Sequence, residues 1–559
     1  MSELCSSCSE QLELGTPQKK FEIDLERPSL EFPFQLTLKG YFQSEGVNER
    51  KDLMAHAERT MKLVEEFAGL KLPPEAIHAV LLHDVVDRFH NRDSQKCTPE
   101  RRQAAGLALA DVFTNPKIDM TCAQVSYVAS LIADFIVVEE ASGRHRLQVA
   151  NTIPESIREI ITDRYEGSVP AEAWRQIEPF VDVEQMAEFL DKTNIEAVII
   201  KACELLDNMR YPSSSRESAK LQDVLEAESF YAPLCEVMGF DGLAASLRSQ
   251  AHIIRLEGQG ERKLIKEIRE QYETIRHVGV RNLVNTIFGT EQVETEAVVG
   301  LRSKASCHNR PVHIGDFLAE NGKAVEGKYR LKTVGSWAAK VHEARQNGKP
   351  EYTPMDVLGL TVISKNVKAQ AHNFVEFLER IDTAPALHLK RAASKSSAIC
   401  VHGTVDYVAT VRQEMEQRGF DTERCEFVVQ DAESVQRRGQ KYQVSKVTFL
   451  MDYPGLDKGV PVEVQFVTRD ERQRSRTGEV AHIIYKYIRQ LEQQGSVPDE
   501  DKVSDEDKYA IAKEMSRLLE QIHQRRDYAS HDLMVNERST PARDAFLEDL
   551  YYFLCHELA

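Results

Sequence analysis

Two segments, VSKVTFLMDY at residues 444–453 and PVEVQFVT at residues 461–468, are the clearest indication of the fold class in the second half of the chain. Both have the β-branched and aromatic content that is typical of strands. In the second segment, apolar residues alternate with Glu463 and Gln465, so one face of the strand is apolar and the other carries polar side chains. The pattern predicts strands that turn one face to a core.

A third segment of this kind, DVLGLTVIS at residues 356–364, is followed by a helical stretch, NFVEFLERI. Strands with helices between them indicate an α/β domain, which we assign to residues 325–490. We expect residues 256–324 to form a connecting helix and a loop-rich bridge. Residues 491–559 are predicted to form an acidic linker and C-terminal helices.

The first half of the chain has a helical pattern instead. The stretch IEAVIIKACELLDNM, at residues 195–209, is strongly apolar, and earlier apolar residues recur at spacings of three and four. We therefore predict an all-α domain at residues 46–255, preceded by an N-terminal arm at residues 1–45. The predicted fold class is multidomain, with an all-α domain followed by an α/β domain.

The composition is that of a globular protein, with 42% hydrophobic and 29% charged residues. The net charge of −18 argues against direct nucleic-acid binding, because such binding relies on positive charge that neutralises phosphates. A small polyanion can still bind where basic residues gather locally, and the few basic clusters are informative for that reason.

Neither a membrane span nor a disulfide framework is expected. No apolar run approaches the ~20 residues that cross a bilayer, and the longest, Val125–Val138, is interrupted by Ser130 and Asp134. The ten cysteines are scattered, and the first residues lack the pattern of a secretory signal. We expect a cytoplasmic protein without a membrane partner.

Four residues on predicted helices form the first candidate site. His83 and Asp84 lie together in AVLLHDVVDRF, His56 lies in the preceding helix, and Glu204 lies far downstream. Burying a His–Asp pair is costly unless the pair is satisfied or holds a metal. Two imidazoles and two carboxylates suit a divalent transition metal, although a helical bundle with satisfied polar groups would show the same residues.

This order resembles that of HD-domain phosphohydrolases, and three segments resemble the hydrolase domain of the RelA/SpoT family specifically: LLHDVVDRF, KACELLDNMRY and ESFYAPLCEVMGF. The resemblance spans about residues 50–255. It implies that His56, His83, Asp84 and Glu204 hold Mn²⁺. Asp87 would orient the attacking water, and Asn208 would contact the substrate. Glu204 replaces an aspartate of the family, and Arg88 replaces the second member of its Glu–Asp pair.

The second candidate site combines basic clusters with carboxylates. The clusters are KYRLK at residues 328–332 and QRRGQKYQVSK at residues 436–446, the latter around Tyr442. Basic residues interleaved with an aromatic suit a nucleotide, although lysine and arginine more often simply face solvent. Asp356 and Glu463 add the two carboxylates that Mg²⁺-dependent phosphoryl transfer needs.

These segments resemble the RelA/SpoT synthetase domain, in YRLKTVGSWAAKV, MDVLGLTV, KYQVSKV, VEVQFVT and GEVAHIIYKY. The resemblance implies that Asp356 binds Mg²⁺ and that Glu463 deprotonates the acceptor's 3′-hydroxyl or binds metal. Tyr442 would stack on the acceptor base. The other residues implied in substrate binding are Arg330, Lys332, Ser336, Arg438, Lys441, Lys446, Gln465 and His482.

The synthetase segments also depart from the family. Thr361 and Val467 stand where the family has arginine, Lys446 where it has histidine, and Lys441 where it has glycine. No segment after residue 490 resembles the TGS or ACT regulatory modules. The carboxylates are kept while the substrate pocket is changed.

Together the two resemblances imply an enzyme of guanosine tetra- and pentaphosphate (alarmone) metabolism. The hydrolase would remove the 3′-pyrophosphate, and the synthetase would transfer pyrophosphate from ATP to GDP or GTP. Three alternatives stay open: an HD phosphohydrolase acting on another nucleotide, a transferase with adenosine acceptors, and a non-catalytic regulator that binds alarmone. The oligomeric state is not indicated.

Overall fold

The structure is a computed structural model of the chain. The residues it describes are 53–68, 72–73, 75–89, 106–107, 109–110, 112–114, 120–151, 169, 186, 189–190, 193–212, 217–288, 310–314, 325–384, 387–389, 398–430, 443–454, 456, 459–477, 484, 510–521 and 541–557. For some of these, 83–89 and 325–328 among them, the description covers the backbone alone.

Packing divides the chain into two compact units. The first comprises Met1–His145, Lys192–Asn208 and Val535–Ala559, and the second comprises Arg146–Asp191 and Met209–Met534. The predicted boundary at residue 255 falls inside a helix of the second unit. The predicted domain organisation stays a prediction.

The labelled helices follow in chain order: α1 Leu53–Ala68, α2 Glu75–Phe89, α3 Cys122–Asn151, α4 Ile195–Arg210, α5 Glu217–Glu226, α6 Ala232–Val237, α7 Asp241–Gly258, α8 Arg262–Val278, α9 Val280–Phe288, α10 Val334–Gln346, α11 Val367–Thr383, α12 Val405–Gln417, α13 Arg469–Thr477 and α14 Pro541–Glu557. A π-helix, Ala227–Tyr231, joins α5 to α6. Residues 510–521 are also helical.

In the first unit, α4 is the apolar helix predicted at residues 195–209. Arg210 in its last turn carries the positive charge that favours the C-terminal end of a helix. Apolar side chains along it, such as Val198, Ile199 and Leu206, are fully buried. This burial supplies most of the helix's stability, because propensity alone contributes little.

Helix α3 contains a stretch, Cys122–His145, that is long and apolar enough to cross a membrane, with a mean hydropathy of 1.5. The interruptions at Ser130 and Asp134 therefore do not shorten it as the sequence pattern suggested. A core helix passes the same test of length and composition, and 56% of the apolar window is buried within the protein. Asp134 in this helix accepts a hydrogen bond from Asn194 at 3.0 Å.

The second unit contains an eight-stranded mixed sheet. Its strands are β1 Arg310–Ile314, β2 Val325–Leu331, β3 Leu358–Ser364, β4 Leu387–Leu389, β5 Ile399–Thr404, β6 Cys425–Gln430, β7 Val444–Met451 and β8 Val460–Thr468. Neighbouring strands follow the order β1-β2-β3-β8-β7-β5-β6, and β4 also pairs with β7. The pairs β3–β8 and β5–β6 are parallel, and the others are antiparallel.

One face of the sheet is covered by α11 and α12. Phe374 and Phe377 of α11 pack against Phe466 of β8 with ring centroids 5.5 and 5.4 Å apart. Burying each of these rings stabilises the fold by about 1.5–3 kcal/mol. The alternation at residues 461–468 therefore buries one face of the strand, as predicted, because Val462, Val464 and Phe466 point into this core.

The structure adds one strand to this region and corrects one expectation. The bridge predicted at residues 256–324 contains a strand, β1, which pairs with β2 along its whole length. Asp356, predicted to open a strand, lies in a turn two residues before β3 begins. Because Asp356 lies outside the strand, its side chain does not follow the alternating directions of strand residues. Its carboxylate lies beside the end of β2.

Candidate functional site

The sheet face opposite α11 and α12, called here the open face, carries the central synthetase-like residues. Arg330 pairs in register with Gly359, which pairs with Glu463. In the next row, Gln465 pairs with Lys446. Register partners on neighbouring strands project to the same face. The pairing therefore brings four predicted site residues from three strands onto one surface.

Three cations converge on Asp356 at the edge of the open face. Its Oδ2 atom lies 2.6 Å from Lys332 Nζ, 3.2 Å from Lys340 Nζ and 3.3 Å from Arg330 Nη2. Lys332 is buried, whereas Lys340 and Arg330 are about half exposed. One carboxylate cannot balance three cations, so the cluster keeps surplus positive charge that attracts phosphate groups.

The environment shifts both central groups. Burial raises the pKa of Asp356, but Lys332, Lys340 and Arg330 together outweigh burial and hold that pKa below its ordinary value. Burial lowers the pKa of Lys332 to about 8, against the opposing attraction of Asp356. At neutral pH the carboxylate is therefore ionised, and most Lys332 side chains keep their charge.

Gly359 leaves room for the Arg330 side chain to lie across β3. A Cβ atom at this position would lie 3.2 Å from both Cγ and Nε of Arg330. That spacing is tighter than ordinary van der Waals contact, so any larger residue would push the guanidinium away from Asp356. The glycine thus helps to set the position of Arg330.

Both oxygens of Glu463 have partners on the open face. Lys446 Nζ lies 3.1 Å from Oε2, and Gln465 Nε2 donates to Oε1 at 2.7 Å. Glu463 is mostly buried, while Lys446 remains 39% exposed. Lys446 can therefore swing into solvent or toward a ligand, whereas Glu463 is held in place.

Ser336 lies in the first turn of α10, directly after the basic end of β2. Its backbone N–H donates to Oγ1 of Thr333 at 3.4 Å, which caps the helix. The Gly335 N–H donates to Ser249 Oγ of α7 at 3.1 Å, and a Cβ at Gly335 would overlap the Ser249 carbonyl oxygen. This close approach anchors the start of α10 and, with it, the end of β2.

Several predicted residues lie outside the described part of the chain: Arg438, Lys441, Tyr442 and His482. Three positions at which the sequence departs from the family that it resembles fall on the sheet. Thr361 and Lys446 both pair with Gln465 on the open face, and Val467 is fully buried.

The donor set of the open face fits Mg²⁺ carried by a nucleotide. Asp356 and Glu463 supply the carboxylate oxygens that Mg²⁺ prefers. Each is held by cations, and nucleotide phosphates would draw those cations away. In the described residues, no three His, Cys, Asp or Glu side chains already surround a common metal position. Water and phosphate oxygens would complete the coordination of a bound Mg²⁺.

In the first unit, His56 on α1 meets Asp207 on α4. His56 Nδ1 donates to Asp207 Oδ2 at 2.7 Å, and Arg59 donates to both oxygens, from Nε at 2.8 Å and from Nη2 at 2.9 Å. Burial raises the pKa of Asp207, but the hydrogen bonds from His56 and Arg59 outweigh it and hold the pKa below its ordinary value. The buried pair is thus a charged, oriented hydrogen bond.

Glu204 lies one turn before Asp207 and Asn208 on α4, and it is buried. Lys201 Nζ contacts its Oε2 at 2.7 Å and also contacts Glu139 of α3. Asn208 Nδ2 approaches the other oxygen, Oε1, at 3.5 Å. A metal at Glu204 would therefore share this carboxylate with the Lys201 ammonium.

The remaining hydrolase-like residues, His83, Asp84 and Asp87, are on α2, where the structure describes the backbone alone. Helix α2 packs against α1, which carries His56. His56 fits a Mn²⁺ site, because the proton on Nδ1 leaves the lone pair on Nε2 for a metal. The predicted ligand set otherwise stays a prediction.

The sequence patterns did not indicate three residues that take part in these clusters: Lys340, Gly359 and Asp207. Lys340 lies one helical turn after Ser336, and this spacing could have indicated that the two residues share one face of a helix. Asp207 is one turn after Cys203 on the apolar helix, and a buried carboxylate there requires a partner. Gly359 has no signal beyond a glycine inside a strand.

Comparison with known proteins does not add to this picture. No protein-family model matches the sequence, and no curated protein matches it.

Proposed function

We propose that this chain is a cytoplasmic, metal-dependent enzyme of alarmone metabolism. It removes the 3′-pyrophosphate of guanosine tetra- or pentaphosphate at the helical site and transfers pyrophosphate from ATP to GDP or GTP at the open face. One observation carries the proposal. Residues predicted to act together, from segments more than a hundred positions apart, meet on one sheet face: Arg330, Lys332, Asp356, Lys446, Glu463 and Gln465.

In the transfer reaction, Arg330, Lys332 and Lys340 would bind the ATP phosphates and hold the β-phosphorus in position. Glu463 would accept the proton of the acceptor's 3′-hydroxyl as that oxygen bonds to the β-phosphorus. The bond between the α–β bridging oxygen and the β-phosphorus breaks, and AMP leaves. Mg²⁺ held by Asp356 would offset the negative charge of the phosphates.

At the helical site, His56, His83, Asp84 and Glu204 would hold Mn²⁺, which lowers the pKa of a bound water and makes it a nucleophile near neutral pH. Asp87 would orient the attacking water, and Asn208 would bind the substrate. Water attacks the phosphorus attached to the 3′-oxygen, the 3′-oxygen leaves with a proton, and pyrophosphate is released.

The test incubates the pure protein with guanosine tetraphosphate and Mn²⁺, and separately with ATP, GDP and Mg²⁺. Anion-exchange chromatography follows GDP, pyrophosphate and AMP. A His83→Ala, Asp84→Ala double variant should lose only the hydrolysis, and Glu463→Gln should lose only the transfer. Glu416→Gln, an exposed carboxylate on α12 at the opposite side of the sheet, is the matched control and should keep both activities.

A panel of acceptors and substrates covers the nucleotide alternatives. Efficient reaction of AMP, ADP or another nucleotide in place of the guanosine compounds would assign the chain a different substrate. If each variant keeps the activity that it is expected to lose, the site assignment itself is wrong.

A second candidate function, a non-catalytic alarmone sensor, is favoured by one contact. Lys446 contacts one oxygen of Glu463 at 3.1 Å, and Gln465 donates to the other, so both oxygens of the proposed base already have a partner before a ligand binds. Calorimetry with guanosine tetraphosphate in Mg²⁺ and in Mn²⁺ separates the two functions. Binding without product formation in either metal would support the sensor.

A further inference from the structure

Asp207 is a buried carboxylate that the proposed mechanism does not use. Its side chain is only 1% exposed, and its two oxygens accept three hydrogen bonds. Oδ1 accepts from Arg59 Nε, while Oδ2 accepts from both Arg59 Nη2 and His56 Nδ1. Burying a carboxylate so completely is costly, and partners on a helix 148 and 151 positions away offset that cost.

The hydrogen bond to His56 determines what the imidazole can do. A histidine that donates Nδ1–H to a carboxylate is held in one tautomer and one ring orientation. Its other nitrogen, Nε2, then carries the lone pair and is the only atom of the ring that can bind a metal. A carboxylate partner also makes that nitrogen a stronger donor to a cation.

We infer that Asp207 is a positioning residue that orients His56 to bind the metal through Nε2. The inference rests on the proposed Mn²⁺ site, since it assigns a role toward that ion. Asp207 acts through His56 and does not bind the metal itself.

Arg59 explains why Asp207 is not a ligand. The guanidinium grips both oxygens of Asp207 in the two-pronged geometry that arginine forms with carboxylates. A divalent cation bound to the same oxygens would either displace the Arg59 guanidinium or lie next to its positive charge, and both are unfavourable. Arg59 lies three residues after His56 on α1, so one helix supplies both the oriented imidazole and the charge that neutralises its partner.

The experiment measures Mn²⁺ binding to the full-length protein, independently of any substrate. Calorimetry or electron paramagnetic resonance (EPR) gives the affinity of the parent and of His56→Ala, Asp207→Ala and Asp207→Glu. Asp207→Ala should weaken Mn²⁺ binding about 10- to 100-fold, the range seen when the partner of a metal-bound histidine is removed. Asp207→Glu keeps a carboxylate and should recover part of the affinity.

A spectroscopic readout distinguishes positioning from general damage. Pulsed EPR detects imidazole nitrogen coupled to bound Mn²⁺, and the parent should show coupling from two imidazoles, His56 and His83. In Asp207→Ala, Mn²⁺ bound at high concentration should keep the coupling of one imidazole only, as in His56→Ala. Asp134→Asn, which alters another buried carboxylate of the same unit, should leave the nitrogen coupling intact.

The outcomes separate this inference from the proposed function. If His56→Ala and His83→Ala both bind Mn²⁺ like the parent, the proposed metal site is wrong, and the inference is wrong with it. If His56→Ala loses the metal while Asp207→Ala and Asp207→Asn keep the parent's affinity and nitrogen coupling, the metal site stands and the role of Asp207 is refuted. Asp207→Asn retains the shape of the side chain, and it replaces the alanine variant in this comparison if the alanine variant does not fold.

Discussion

Glu196 stands in the first turn of α4 with its side chain buried, close to the charge of Asp134 on α3. Asn194 connects the two residues. Its Oδ1 accepts from the Glu196 backbone N–H and its Nδ2 donates to Asp134, both at 3.0 Å. Burial, and then the like charge of Asp134, raises the pKa of Glu196 from 4.5 to about 7.

This raised pKa links stability to pH. A carboxyl group with a higher pKa in the folded state contributes stability that is full below its unfolded pKa and is lost as pH rises through the folded pKa. The difference of about 2.5 units corresponds to about 3 kcal/mol, lost mostly between about pH 5 and about pH 8. Glutamine has nearly the same shape and cannot ionise. Glu196→Gln should therefore match the parent at the acidic end and exceed its stability by about 3 kcal/mol above about pH 8.

Urea unfolding at a series of pH values, followed by circular dichroism, gives the free energy of unfolding of both proteins. Glu58→Gln, an exposed position on α1, is the control and should keep the parent's pH dependence. If the parent and Glu196→Gln show parallel pH dependence across this range, Glu196 does not carry the buried charge, and the reasoning is refuted.

Three further predictions concern the open face. Lys446→Met should lower the rate of transfer from ATP to GDP at least several-fold, because Lys446 is one of the residues proposed to bind the substrate; an unchanged or higher rate, measured by AMP release, would show that Lys446 restrains Glu463 instead. Gly359→Val should displace Arg330 and weaken ATP binding about tenfold in calorimetry, equivalent to about 1.4 kcal/mol, whereas unaltered affinity would show that Arg330 adapts. Because burial lowers the pKa of Lys332 to about 8, ATP affinity should fall as pH rises through about 8, and Lys332→Met should remove that fall.

Local patterns were sufficient where one face of an element is buried. The alternation at residues 461–468 and the apolar run at residues 195–209 correspond to β8 and α4, because a strand and a helix each repeat apolar residues at their own period. β1 escaped prediction. It has five residues, including Pro311 and His313, and this is too short for a pattern that indicates a strand. Its pairing with β2 is a tertiary contact that the local sequence does not show.

The residue types available for a site can be read from the sequence: the basic end of β2, the carboxylates Asp356 and Glu463, and the histidines of the helical half. Which of these groups meet depends on the folding of the chain. It brings Lys340 to Asp356 and Asp207 to His56, pairs separated by 16 and 151 positions. No local period encodes such contacts, because the free energy that drives them comes from burying strands and helices against one another, and the polar partners follow from where that packing leaves them.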